Sequence, residues 1–235
     1  MKFSQNTFTV LFLGIAFFSP NLSAQNSKYS GWLFLSHTQK ISAKLSYMTD
    51  FQLRSGPKFN YLQNVLLRPG LLYQLTKEQS VGIGYTYFST WDKSEEPNIF
   101  EPENRIFEQY IHKYENGRLY LSNRIRIEQR FIQTEKENVF AQRARHQIQT
   151  RFRLSSDTAF EKGFYVNLQN EIFLNIQNKH KLNNNFFDQN RPYLGIGYRI
   201  NKKIETEIGY YYRFQKMIET DLKENIFQVM IITDL

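Results

Sequence analysis

Seven arginines at even spacing, in two neighbouring runs, are the residues of this chain best suited to chemistry. Arg124, Arg126 and Arg130 stand in one run, and Arg143, Arg145, Arg151 and Arg153 in the next. A guanidinium keeps its charge and presents a planar fork of N–H donors, so it grips carboxylate, phosphate or sulfate oxygens in pairs. Arg191, Arg199 and Arg213 recur later in the chain at positions of the same kind. Four acids, Glu128, Glu171, Glu205 and Glu207, are interleaved with them. Such a set has three uses: an internal lattice of Arg–Glu pairs, a passage that prefers anions, or a rim that binds acidic lipid or sugar. These fourteen residues are expected to form one charge network.

Other chemistries find less support. The chain has no cysteine, which removes disulfides, thiolate metal sites and thiol nucleophiles. Its four histidines, His37, His112, His146 and His180, are scattered, with no spaced His/Asp/Glu set for a metal and no serine nucleophile motif beside them. No catalytic residue, metal site or cofactor is therefore expected, and the chain is not read as an enzyme. The rival of another class is a lipid-modifying enzyme of the outer membrane, of the lipid A deacylase or acyltransferase kind. The net charge of +8 invites a nucleic-acid reading. The arginines alternate along extended segments instead of clustering, however, and no nucleic-acid motif is present, so no nucleic-acid partner is expected.

The elements that carry these residues are strands. From Arg118 to Arg130 the even positions are mostly polar or charged, while Leu119, Leu121, Ile125 and Ile127 hold odd ones. After a charged turn at residues 134–138 the parity reverses, with Ala144, Ile148, Phe152 and Leu154 on the apolar face. A period of two sends alternate residues to opposite faces of a sheet. The same alternation runs through residues 41–53, 59–75, 80–91, 164–177, 191–200, 204–215 and 224–235. Residues 105–114 form a weaker strand whose parity the sequence leaves open. Residues 29–36 are apolar without clean alternation, fitting a strand buried on both faces or a segment inside a barrel. Gly82, Gly84, Gly195 and Gly197 fall on the polar face, where small residues leave room for bulky neighbours. No segment after the N-terminus has helical periodicity.

Three features put the apolar face toward lipid. The strands run about 10 to 16 residues, the length of tilted membrane strands, whereas soluble strands average about 5 or 6. Their number exceeds the eight of a lipocalin-like barrel. The last strand alternates to an apolar end at Leu235. Aromatic content of 16% suits both strands and membrane interfaces. Short turns near 76–79, 115–117 and 201–203 alternate with longer polar loops near 92–103, 132–139, 178–189 and 218–224, the asymmetry of outer-membrane barrels. Counting back from the C-terminus gives ten strands with both ends on one side, and the Trp32 segment is then an eleventh element in the lumen or mouth, or paired with a twelfth.

Lys2, the apolar run 8–18 and Leu22-Ser23-Ala24 have the parts of a signal peptide. The expected organisation is a cleaved signal at residues 1–24 and, over residues 25–235, an all-β, transmembrane, antiparallel up-and-down barrel of ten to twelve strands in the bacterial outer membrane.

Several stretches also resemble the domain of unknown function 2490 family. They are Trp32, Arg68-Pro69-Gly70-Leu71 with Gly82-Ile83-Gly84-Tyr85, Arg124-Ile125-Arg126-Ile127-Glu128-Gln129-Arg130-Phe131, Arg143-Ala144-Arg145 and Asn190-Arg191. The resemblance covers most of the chain after residue 24, and it implies an outer-membrane β-barrel without an agreed activity. The expected function is a small outer-membrane barrel, structural or a narrow anion-preferring pore. Its expected partners are outer-membrane lipid and small anionic solutes.

Overall fold

The computed structural model describes residues 28–93, 98–134, 137–154 and 160–235. The expected signal peptide at 1–24 lies outside the described residues, as do parts of the loops expected at 92–103 and 132–139 and residues 155–159.

Eleven strands close into one barrel. In chain order they are β1 (Lys28–Lys40), β2 (Leu45–Ser55), β3 (Leu62–Gln74), β4 (Gln79–Asp92), β5 (Ile99–Asn116) and β6 (Leu119–Gln133). β7 (Asn138–Arg153), β8 (Gly163–Gln177), β9 (Phe187–Asn201), β10 (Ile204–Gln215) and β11 (Leu222–Asp234) complete the wall. Each strand pairs antiparallel with the next in sequence, and the ring closes where β1 lies parallel to β11. Two short 3-10 turns, at Pro57–Phe59 and Lys179–Lys181, are the helical segments among the described residues.

The closure corrects the expected place of the Trp32 segment. It neither enters the lumen nor seeks a twelfth strand: it is a wall strand, with Leu33 opposite Val229 on one side and Leu53 on the other. Closing a ring of hairpins with an odd strand requires one parallel seam, so Lys28 and Leu235 lie at opposite ends of the barrel. The missing alternation of β1 follows from its neighbours. Trp32 and Phe34 point inward beside tyrosine and arginine, while Leu33 and Leu35 point outward.

Boundaries shift in further places: β3 starts at Leu62, after the 3-10 turn at Pro57–Phe59, and β9 at Phe187, inside the loop expected at 178–189. Residues 41–44 form the tight turn between β1 and β2 and not the start of a strand, with the Ile41 and Ser42 amides both donating to the Leu45 carbonyl. β5 starts at Ile99, inside the stretch expected to be loop. The contrast between short and long connections is weaker than expected, because paired strands continue into the polar ends: only residues 134–137 join β6 to β7. The hairpin at residues 115–117 turns on Gly117-Arg118, and Gly117 holds a φ of 56°, a left-handed conformation that glycine adopts without strain.

β5 now has a parity. Glu103, Arg105, Phe107 and Gln109 point inward, while Ile106 and Tyr110 point outward. Both faces of this strand carry polar groups, since Gln129 donates to outward Glu108 at 3.0 Å, and that is why alternation alone did not settle it.

Around the ring the polarity is inverted relative to a soluble domain. Arg126, Glu128, Glu171 and Glu207 are buried inside. Ile83, Ile125, Leu168, Leu194 and Ile208 are exposed on the outer wall, the last at 65%. Inward glycines make room for inward rings, as expected: Gly84 faces Phe107, Gly197 lies under Tyr165, and Gly195 and Gly209 lie under Tyr193. Outer aromatic pairs gather near hairpin ends, Trp91 with Phe100, Phe131 with Phe140 and Phe187 with Phe214 on one side and Phe164 with Tyr198 on the other.

Candidate functional site

The inward positions of β6 and β7 place Arg126 opposite Arg145 and Glu128 opposite Arg143. Rows of like charge this close require interleaved carboxylates. The structure supplies them as a zigzag across four strands. Asp188 binds Arg143 Nη1 at 3.0 Å, and Arg143 Nη2 binds Glu128 at 2.7 Å. Arg145 joins Glu128 at 2.5 Å to Glu171 at 2.7 Å, and Glu171 also takes Arg124 at 2.8 Å. Asp188 reaches this lattice through a register shift between β8 and β9, where Phe173 faces Gln189 but Leu174 faces Phe187.

Two smaller groups flank the zigzag. Nearer residues 93–98 and 134–137, Glu103 is gripped by Arg105 at 2.7 Å and Arg130 at 2.6 Å. At the other end Glu205 takes Arg151 at 3.0 Å and also Arg199. There Phe160 packs between Arg153 and Arg199, whose Cζ atoms lie 4.9 and 4.8 Å from its ring centroid. Arg213 pairs with Glu224 at 2.5 Å and Arg68 with Asp50 at 3.3 Å.

The fourteen expected residues thus all point toward the interior, but they do not all form Arg–Glu pairs. Among the described residues Glu207 binds no arginine; its Oε1 accepts from Tyr193 Oη at 2.6 Å and Asn167 Nδ2 at 2.9 Å. Arg153 pairs with Glu115, at the turn end. Arg126 and Arg191 have no carboxylate partner among the described residues, and each is held by a glutamine. Arg126 donates twice to Gln109 Oε1, at 3.1 and 2.6 Å, and Arg191 Nε donates to Gln189 Oε1 at 2.7 Å.

Sequence reasoning missed Arg54, Arg68 and Arg105 and the acids Asp50, Glu103, Asp188 and Glu224. Glu103 and Asp188 fall in stretches whose sequence reads as loop, 92–103 and 178–189. The run Glu101, Glu103, Arg105, Phe107, Gln109 carries a period of two, the signal that could have recovered Glu103. Arg54 repeats the glutamine pattern, donating to Gln52 Oε1 at 3.1 and 2.6 Å with its Cζ 3.9 Å from the Trp32 ring centroid.

Three interior cavities follow one another along the barrel. One of about 330 Å³ lies toward Glu101 and Gln215, one of about 320 Å³ lies at mid-barrel around Arg126, and one of about 390 Å³ lies toward Glu115 and Asp234. Arg68 and Arg191 line both the first and second, and Arg151 and Tyr120 both the second and third.

The histidines stay apart. His146 contacts Asn123 Oδ1 at 2.7 Å on the outer wall, His37 contacts Thr233 at 2.8 Å, and His112 lies 3.7 Å from Glu78. His180 sits in the second 3-10 turn. No cluster of metal-ligating side chains occurs among the described residues.

The fold and interior define a closed, mostly antiparallel β-barrel with an arginine–carboxylate interior. Residues 29–224 match the family described as "Protein of unknown function (DUF2490)", and the chain belongs to that family. No curated protein matches the chain.

Proposed function

We propose that this protein is a bacterial outer-membrane barrel whose interior forms a narrow, anion-preferring passage. The inverted polarity of the wall carries the reading. A large aliphatic side chain left in water forgoes about 1.5–3 kcal/mol, and the outer face presents a belt of them from Leu67 and Ile83 round to Ile208 and Val229. Lipid is the solvent in which that belt costs nothing, and aromatic pairs near the hairpin ends suit its interfaces. Within the barrel, the paired arginines brace the wall, and those held by glutamine leave charge uncancelled. Such residues line two of the three cavities, Arg54 and Arg191 both of these and Arg126 the one at mid-barrel, and they favour anions over cations there.

Two measurements test this. With the chain refolded in vesicles of brominated lipid, Trp91, on the outer wall 5.2 Å from Phe100, is quenched. Trp32, buried inside, is not quenched in the Trp91→Phe variant. In planar bilayers under a salt gradient, steady openings reverse at a potential biased toward the anion. Cation bias refutes the passage, and a silent bilayer together with altered lipid A in expressing cells favours the lipid-modifying enzyme.

A further inference from the structure

Arg126 is 2% exposed, and its Nη1 has no hydrogen-bond partner. Its remaining donors, Nε and Nη2, both end on one neutral oxygen, Gln109 Oε1, and its Cζ stands 4.2 Å from the Phe107 ring centroid. A buried charged donor without an acceptor is rare and invites a ligand. The interior contains an internal control. Nine other arginines, Arg68, Arg105, Arg124, Arg130, Arg143, Arg145, Arg151, Arg199 and Arg213, have carboxylates, so the buried Nε that Arg68, Arg124, Arg151 and Arg213 each leave without a partner belongs to a charge already paired. Arg54, Arg126 and Arg191 have glutamines at the equivalent place. A glutamine oxygen fixes the direction of a guanidinium as a glutamate would, and leaves its charge intact.

All three of these arginines line the mid-barrel cavity of about 320 Å³. That is room for roughly ten waters at about 30 Å³ each, enough for a small anion with part of its hydration shell. Arg54 and Arg191 both stand over Trp32, at 3.9 and 5.4 Å from its ring centroid, so an aromatic floor keeps them turned into the cavity. The two carboxylates lining the same space are already engaged. Asp50 is held by Arg68, and Glu171 by Arg124 and Arg145. Asp50 Oδ1 is itself without a partner, which assigns the anion to the Arg126 side of the cavity.

We propose that the mid-barrel cavity binds a small, multiply charged oxyanion of the phosphate or sulfate type. Arg126 Nη1 donates to it directly, and Arg54 and Arg191 supply further positive charge. The same oxyanion chemistry occurs on free phosphate and on lipid headgroups. The unbroken wall separates the cavity from lipid, so the free ion is the fitting source. This inference deepens the anion-preferring reading, and the two can fail separately.

The test is calorimetric titration of the refolded full-length mature chain in detergent with inorganic phosphate, with sulfate, and with glycerol phosphate as the headgroup surrogate. Phosphate is expected to bind and to raise the thermal unfolding midpoint, with chloride giving no comparable effect. Arg126→Gln is expected to lose at least tenfold in affinity. Gln109→Glu, which gives Arg126 a carboxylate and keeps the barrel's bulk unchanged, is expected to lose as much, and it serves where the arginine variant does not fold. Absence of binding by folded protein overturns the site, as does wild-type affinity in both variants. Glycerol phosphate binding more tightly than phosphate overturns the free-ion assignment. Anion-biased conduction without phosphate binding removes the site and keeps the passage, while phosphate binding in a silent barrel does the reverse.

Discussion

Replacing Glu128 by glutamine removes the carboxylate on which two arginines converge. Glu128 is 1% exposed; Arg143 reaches it at 3.0 and 2.7 Å and Arg145 at 2.5 Å. Each hydrogen bond to a charged group contributes about 1.5–3 kcal/mol. The variant keeps one carbonyl oxygen but turns an amide donor toward a guanidinium. Asp188 and Glu171 still hold the outer sides of Arg143 and Arg145, which limits the damage. The expected loss is about 3–5 kcal/mol, the range for deleting one partner of a buried ion pair. Glu207→Gln is the matched control, because both donors to Glu207 end on Oε1 and its Oε2 has no partner. That variant retains every bond and is expected to change stability by less than about 1 kcal/mol. Urea unfolding of the two proteins in the same detergent, followed by tryptophan fluorescence, measures the difference. Equal losses, or a Glu128 variant within about 1 kcal/mol of the parent, would refute the lattice as the barrel's brace.

Two predictions address the wall. Leu33 and Val229 face each other across the parallel seam. Neighbouring strands lie about 4.8 Å apart, within reach of a disulfide, so the Leu33→Cys/Val229→Cys protein is expected to cross-link on oxidation. A barrel closed without β1 leaves that pair reduced, as resistance of its mobility to reductant would show. A Cβ at Gly197 would meet the ring of Tyr165 and nothing nearer. Gly197→Ala is therefore expected to cost about 1–3 kcal/mol by overpacking. Adding Tyr165→Leu should recover part of this in a double-mutant cycle, and strict additivity would contradict the contact.

The amino-acid sequence by itself determined which face of each strand a residue takes. Alternation is a local property of extended chain, and it separated Arg124, Glu171 and Arg199 from Ile125, Leu168 and Ile208 without knowledge of neighbours; the length and number of the strands then turned the first set inward. It also foretold the glycine niches under inward rings. Where both faces were polar, as on β5, or both apolar, as on β1, the same rule had nothing to read. Only the tertiary structure decided how the ring closes, because pairing β1 with β11 joins residues nearly 200 positions apart. It likewise decided which charge meets which. Glu207 looked like one more partner for arginine and instead receives a tyrosine and an asparagine. Arg126 and Arg191 looked like members of the brace and are instead, like Arg54, held by glutamine. Side-chain partners across a barrel depend on strand register and stagger, which single-strand periodicity does not contain.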